Sequence, residues 1–260
     1  MHMNRTDLSI ALMTPIHNPS KQQVNNLVAT YESLNDVIDC FYVGISSQST
    51  NIELVKDALK DFNCKINVAD DEGPDDALLK LTRIIKEDFV WLVTCGEIIK
   101  IKDTEFLKQV EKESIIFGDT TFINEDGTFS KMHPKKFNRF YKYKIPILNL
   151  SSCIIYKDYF IKSSPARKYK VATDYEQILR LYSYELNLQH TSSFELVFFN
   201  DGNSIKNKVT GMAEMYHISQ YFYPQKNVLR IIFYSLFLLK HKINPFKFLE
   251  ELSKIDNYVN

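Results

Sequence analysis

Four short apolar runs recur through the first hundred residues: Leu8 to Met13, Ile38 to Ile45, Lys65 to Ala69 and Phe89 to Thr94. Stretches with helical spacing separate them. Val24, Leu27, Val28, Tyr31 and Leu34 mark one such face, Leu54, Val55, Ala58, Leu59 and Phe62 a second, and Leu78, Leu81, Ile84 and Ile85 a third. Strands alternating with helices of this length predict an α/β fold, Rossmann-like, with a mostly parallel central sheet and helices on both faces. Ligands of such sheets bind beyond the carboxyl ends of the strands. The turns Thr14 to Ser20, Ser46 to Asn51 and Asp70 to Pro74, and the end of the fourth run with Glu97, are therefore expected along one edge.

The second half is less regular. Ile115 to Ile123 and Thr128 to Lys131 read as a hairpin around Asn124-Glu125-Asp126-Gly127, where Asp-Gly is a strong turn signal. A basic-aromatic stretch follows from Lys135 to Lys144, then strands near Cys153 to Tyr156 and Ser193 to Phe199. Between those strands a helix begins at Asp174 with Tyr175, Ile178, Leu179 and Tyr182 on one side. From about Ser204 the pattern is helical to the end, with interruptions expected at Pro224 and Pro245. The division expected is 1–204 for the main domain, split into a nucleotide-binding half (1–100) and an acceptor half (101–204), with a C-terminal helical extension over 205–260.

At 260 residues, with 45% hydrophobic and 25% charged side chains, the chain has the balance of a globular protein with a sizeable core. Thirty-two basic residues offset thirty-two acidic ones, which speaks against a nucleic-acid binder, whose affinity rests on neutralising phosphates. Cys40, Cys64, Cys95 and Cys153 have no metal-ligand or paired spacing and read as reduced thiols in a cytoplasmic protein. The longest apolar run, Ile231 to Leu239, is too short to span a bilayer, which takes about 20 residues. Flanked by Lys226, Arg230, Lys240, Lys242 and Lys247, it has the makings of a peripheral contact with an anionic membrane surface. Packing on the domain, or on a partner subunit in an oligomer, is the alternative.

From Leu8 to about Tyr223 the order of motifs resembles the GT-A fold glycosyltransferases of family 2, in the bacterial polysaccharide branch. Thr14-Pro15-Ile16-His17-Asn18 is similar to that family's first loop, which cradles the nucleotide base. Asp71-Glu72-Gly73-Pro74-Asp75-Asp76-Ala77 resembles the segment opening its third helix beside the nucleotide. Phe117-Gly118-Asp119 resembles its Tyr-Gly-Asp hairpin, and Leu92-Val93-Thr94-Cys95-Gly96-Glu97 sits where the family carries its metal motif. Ala172-Thr173-Asp174-Tyr175-Glu176 resembles the helix start whose first Asp is the family's catalytic base. The sequence departs from the pattern at Gly44 or Ile45, where the family has an Asp. It departs again at Thr94-Cys95-Gly96, which leaves Glu97 as the only acid of that motif, and in the segment Ile145 to Ser151, which lacks a His-Gln pair.

The resemblance implies an inverting transfer of a sugar from a nucleotide-sugar donor to a glycan or lipid-linked acceptor in bacterial surface polysaccharide synthesis. Asp174 would be the general base. Glu97 would hold a divalent cation, Mn²⁺ or Mg²⁺, both of which prefer oxygen ligands. Thr14, Pro15, Ile16, Asn18, Asp71, Asp76 and Asp119 would line the donor pocket. Thr173-Asp174-Tyr175-Glu176 also has the spacing of a capping box, with Thr173 as the cap and Glu176 reaching back. The departures motivate a second reading, a non-catalytic GT-A-like subunit that binds glycan or a partner transferase. A sugar nucleotidyltransferase is set aside, because the turn Thr14 to Ser20 contains no glycine for a phosphate loop.

Overall fold

A computed structural model of the chain describes residues 8–71, 73–124, 126–132, 148–165, 169–200 and 207–259. The basic-aromatic stretch Lys135 to Lys144 and the acids Glu72 and Glu125 lie outside the described residues. The chain forms two compact units. The first comprises the described residues up to 132 together with Leu148–Lys162 and Leu186–Phe199; the second comprises Ser163–Glu185 and the described residues from Asn200 onward. The helix bearing Asp174 thus packs with the C-terminal helices.

In the first unit β1 (Ile10–Ile16), β2 (Cys40–Ser46), β3 (Cys64–Ala69) and β4 (Phe89–Leu92) alternate with α1 (Lys21–Leu34), α2 (Ile52–Leu59) and α3 (Pro74–Thr82). There follow β5 (Ile98–Ile101), a 3₁₀ turn (Glu105–Gln109), β6 (Ser114–Asn124), β7 (Phe129–Met132), β8 (Cys153–Tyr156), α4 (Lys157–Lys162) and β9 (Asn187–Asn200). All nine strands join one sheet in the order β3-β2-β1-β4-β8-β6-β9-β5, with β7 paired to β6. The parallel part is the block β3-β2-β1-β4; from β4 to β8 and on to β6 the pairing is antiparallel. This is the α/β class that the alternating pattern predicts. The expected hairpin is β6–β7, with Ile123 opposite Phe129 across Asp126-Gly127.

Local chemistry accounts for the element ends. Ser20 caps α1 by accepting from the Gln23 amide at 3.2 Å, while the Gln23 side chain accepts from the Ser20 amide at 2.8 Å, a reciprocal capping box. Val24, Leu27, Tyr31 and Leu34 then face the sheet, fully buried, and Tyr31 stacks on Phe41 with ring centroids 4.0 Å apart. Thr14, Pro15 and Ile16, expected in a turn, continue β1, because their backbones pair with Val43, Gly44 and Ile45 of β2. Strand β5 has no counterpart in the sequence reading: four residues are too few to show a period. Strand β9 starts six residues before Ser193, since its polar start Asn187 to Thr191 carries no apolar alternation.

The centre of the first unit is Trp91 on β4. It contacts Phe106 and Phe194 (centroids 6.2 and 4.5 Å), which contact each other at 5.1 Å, and its indole N–H donates to the Ser151 carbonyl at 2.8 Å. The second unit holds α5 (Thr173–Ser183), α6 (Lys208–Phe222), α7 (Asn227–Lys240) and α8 (Pro245–Val259) around Tyr175, Leu179, Met212, Ala213, Tyr234, Leu238 and Phe248. Pro245 opens α8 rather than breaking a helix; Lys242, at φ +52°, ends the preceding one.

The antiparallel half depends on a close approach at Gly118. A Cβ there would stand 2.3 Å from the Phe194 ring and 2.6 Å from the Phe194 carbonyl oxygen. Gly118→Ala is therefore expected to destabilise the protein by about 1–3 kcal/mol through overpacking. In a thermal melt this lowers the midpoint by several degrees, at about 2–4 °C per kcal/mol for a chain of this size. An unchanged midpoint contradicts the packing described.

Candidate functional site

Because β1, β2 and β3 are parallel and in register to their ends, with Ile16 beside Ile45 and Ser46 beside Ala69, their following loops share one edge. A cavity of about 270 Å³ opens there, lined by Pro15, Ile16, His17, Ser46, Gln48, Asp71, Gly73 and Ala77. It has the makeup of a small-ligand pocket, mostly apolar walls with a few polar groups to fix orientation. Its floor is the strand ends and its far wall the start of α3.

Side chains of neighbouring loops hold the rim together. Asn18, at φ +43°, accepts from the Thr50 amide at 2.7 Å and hydroxyl at 3.1 Å, and its own amide donates to the Ser49 hydroxyl at 3.2 Å. Asn51 donates to the Pro19 carbonyl at 2.9 Å. The Ser47 hydroxyl donates to the Asp70 carboxylate, tying the second loop to the third. Asp71 accepts from the Gly73 amide at 3.1 Å, and Gly73, at φ +126°, makes the sharp entry to α3. Among the described residues no side chain caps α3.

Of the expected pocket residues, Pro15, Ile16 and Asp71 line this cavity. Thr14 is fully buried one residue earlier and accepts from the Tyr31 hydroxyl at 3.4 Å. Asn18 joins the loops as described. Asp76 pairs with Lys80 one turn along α3 at 2.7 Å. Asp119 is buried on β6, 2.8 Å from His190 Nε2 of β9. His17, Ser46 and Gln48 line the cavity and were not singled out from the sequence. Gly44, one of the two positions where the family pattern would place an Asp, lies under α3, where a Cβ would be 3.2 Å from the Leu81 side chain.

Glu97 lies in a tight turn after β4 and is only 4% exposed. Its carboxylate accepts from the Thr94 amide at 2.8 Å, while its own amide and carbonyl bond Thr94 and Thr30. As a divalent-cation site this donor set does not fit. It offers one carboxylate already engaged by an amide, and the described residues contain no group of three or more His, Cys, Asp or Glu side chains placed to hold a metal. The neighbouring Cys95 thiol is pushed up to about 12, mainly by burial and then by the charge of Glu97. Burial likewise pushes Cys64 and Cys153 up to about 12.

Asp174 lies in the first turn of α5, but the expected capping box does not form. Ala172 is the N-cap, the Thr173 hydroxyl donates back to the Tyr169 carbonyl at 3.1 Å, and Glu176 accepts from Arg180 at 2.6 Å. The anchoring is supplied from α6 instead. The fully buried Glu214 carboxylate accepts from the amides of Lys170, Val171 and Ala172, each at 2.9 Å. Gly211, one turn earlier, permits this approach: a Cβ there would stand 2.9 Å from Val171. Glu214 is remote in sequence from α5, and no local spacing signals it.

No family model and no curated protein matches the chain. Among solved structures it is similar to residues 1–349 of S. aureus TarS. The complex of TarS with UDP-GlcNAc aligns at a TM-score of 0.56 and 13% identity, covering 83% of this chain and 65% of that one. The complex with UDP aligns at 0.51 and 12%, with the same coverage. The chain thus spans a little under two thirds of the TarS chains it matches. At such identity the likeness is one of fold: the chain has a GT-A-like glycosyltransferase fold.

Two outcomes follow from this geometry. Iodoacetamide at neutral pH should leave the buried Cys153 unlabelled in the folded protein and label it on unfolding, since thiolate is the reactive form; rapid labelling in the native state contradicts the packing of β8. Glu214→Ala should destabilise the second unit by at least about 1–3 kcal/mol, the cost of orphaning buried amides. Glu214→Gln, which keeps one acceptor oxygen, should lose less in the same melt.

Proposed function

We propose that the chain is an inverting glycosyltransferase that moves one sugar from a nucleotide-sugar donor to a glycan or lipid-linked acceptor in bacterial surface polysaccharide synthesis. The observation that carries this reading is the cavity at the carboxyl ends of β1 and β2, beside the start of α3, in a fold shared with a protein crystallised with UDP and UDP-GlcNAc. A uridine diphosphate sugar is the donor class this supports. Pro15 and Ile16 supply apolar contact for the base. Asp71, Ser46, Gln48 and His17 supply hydrogen bonds.

Asp174 is assigned the general base from its motif and its place in the first turn of α5. It takes the proton of the acceptor hydroxyl as that oxygen bonds to the anomeric carbon. The bond from that carbon to the donor's phosphate oxygen breaks, and the electron pair leaves with the nucleoside diphosphate. Glu97 serves to hold the turn after β4, and no step is drawn through a metal.

The test is turnover of UDP-sugars with Asp174→Asn beside the wild type, in Mn²⁺ and in EDTA. The expected result is loss of turnover by about 10²–10⁴-fold in the variant, as removal of a general base gives, with donor binding unchanged. Donor binding should persist in EDTA. The engaged Glu97 and the missing acid near Gly44 favour the non-catalytic subunit as the second reading. Donor binding without turnover in the wild type, and Asp174→Asn without effect in the cell, would select it.

A further inference from the structure

The outer side of α7 is apolar without interruption. Val228, Ile231, Ile232, Leu236 and Leu239 are 70, 53, 51, 62 and 77% exposed, and they recur at helical spacing. Ser235 is the one polar residue among them, and no charge falls on this face before Lys240. The inner side packs Tyr234 and Leu238 into the core of the second unit, with the buried Arg230 over the Tyr216 ring. Phe246 and Leu249 of α8 add two more exposed apolar side chains, 83 and 57% exposed. A large exposed apolar face on a helix already packed on its other side marks an interaction surface.

Charge decides among the candidates for that cover. Between Lys208 and Asn260 the sequence has seven basic residues and four acids, in a chain whose total is zero. Of the acids, Glu214 is buried against the loop that precedes α5, and Glu250 and Glu251 pair with Lys254. Lys240, Lys242 and Lys247 are exposed at the C-terminal end of α7 and the start of α8. The Lys208 ammonium lies 3.1 Å from His241 Nδ1, and His241 is held below the usual histidine range by burial and then by Lys208 and Lys240. A second copy docked on this face would bring a second set of the same three lysines. An anionic bilayer takes apolar side chains among its acyl chains and lysines among its headgroups. Among the described residues no helix is long and apolar enough to cross a membrane, so the contact is with the surface.

We propose that the α7–α8 face rests in the surface of an anionic lipid bilayer, with Val228, Ile231, Ile232, Leu236 and Leu239 inserted and Lys240, Lys242 and Lys247 at the headgroups. The contact is independent of any transferase activity. The test is co-sedimentation of the full chain with phosphatidylcholine vesicles made with and without phosphatidylglycerol, beside light scattering of the lipid-free protein. Partition should be at least about tenfold stronger with the anionic lipid, from the summed attraction of the lysines. The variant Ile232→Glu/Leu236→Glu should lose binding, and Lys240→Glu/Lys242→Glu should lose the preference for anionic lipid. Both change exposed residues, so a circular-dichroism melt should match the wild type. Absence of vesicle binding, binding that survives Ile232→Glu/Leu236→Glu, or a lipid-free dimer that Leu236→Glu dissociates would each overturn the proposal.

Discussion

The parallel pairing of β1 with β2 on one side and β4 on the other is the constraint on which the rest depends. Parallel strands end on the same edge, so loops distant in sequence meet there. Three polar connections become the walls of one cavity, and Asn18, Ser47 and Asn51 only then have partners in neighbouring loops. The same pairing buries β1 and β2 on both faces, which is why they read as continuous apolar runs. Trp91, on β4, carries that order into the antiparallel half through Phe106 and Phe194.

β1 and β2 were legible because they are doubly buried apolar runs, and α1 and α2 because they are long enough to show a helical period. What escaped the sequence was set by tertiary contacts. β5 acquires strand structure from β9, with Ile98 opposite Val197 and Ile101 opposite Phe194, while the polar start of β9 bonds at Asn187 to the Glu113 carbonyl, just before β6. Two similar local patterns had opposite fates. Ser20 and Gln23 form a capping box, whereas Thr173 and Glu176 do not, because Glu214 already binds the amides leading into α5 and Arg180 takes Glu176. A capping motif states what a helix start can do, and a buried carboxylate from another helix decides whether it does.

The candidate site was legible in its location more than in its residues. Parallel-sheet topology put it at the strand ends, and Pro15, Ile16 and Asp71 are there. His17, Ser46 and Gln48 lie in turns the sequence placed on this edge, but only the folded loops single them out as lining. Conversely Thr14 and Asp76, conspicuous by type, are engaged within the scaffold, Thr14 with Tyr31 and Asp76 with Lys80. At Gly44 a side chain would press closely on Leu81 of α3.

The central claim is that the cavity at the ends of β1 and β2 is the nucleotide site. The most direct measurement is titration calorimetry of UDP into the wild type and into Ala77→Phe, whose ring would fill the space beside Ile16 and Gly73. The account predicts saturable binding by the wild type and none by a variant that remains folded. Equal binding by both proteins, or none by the wild type, would contradict it.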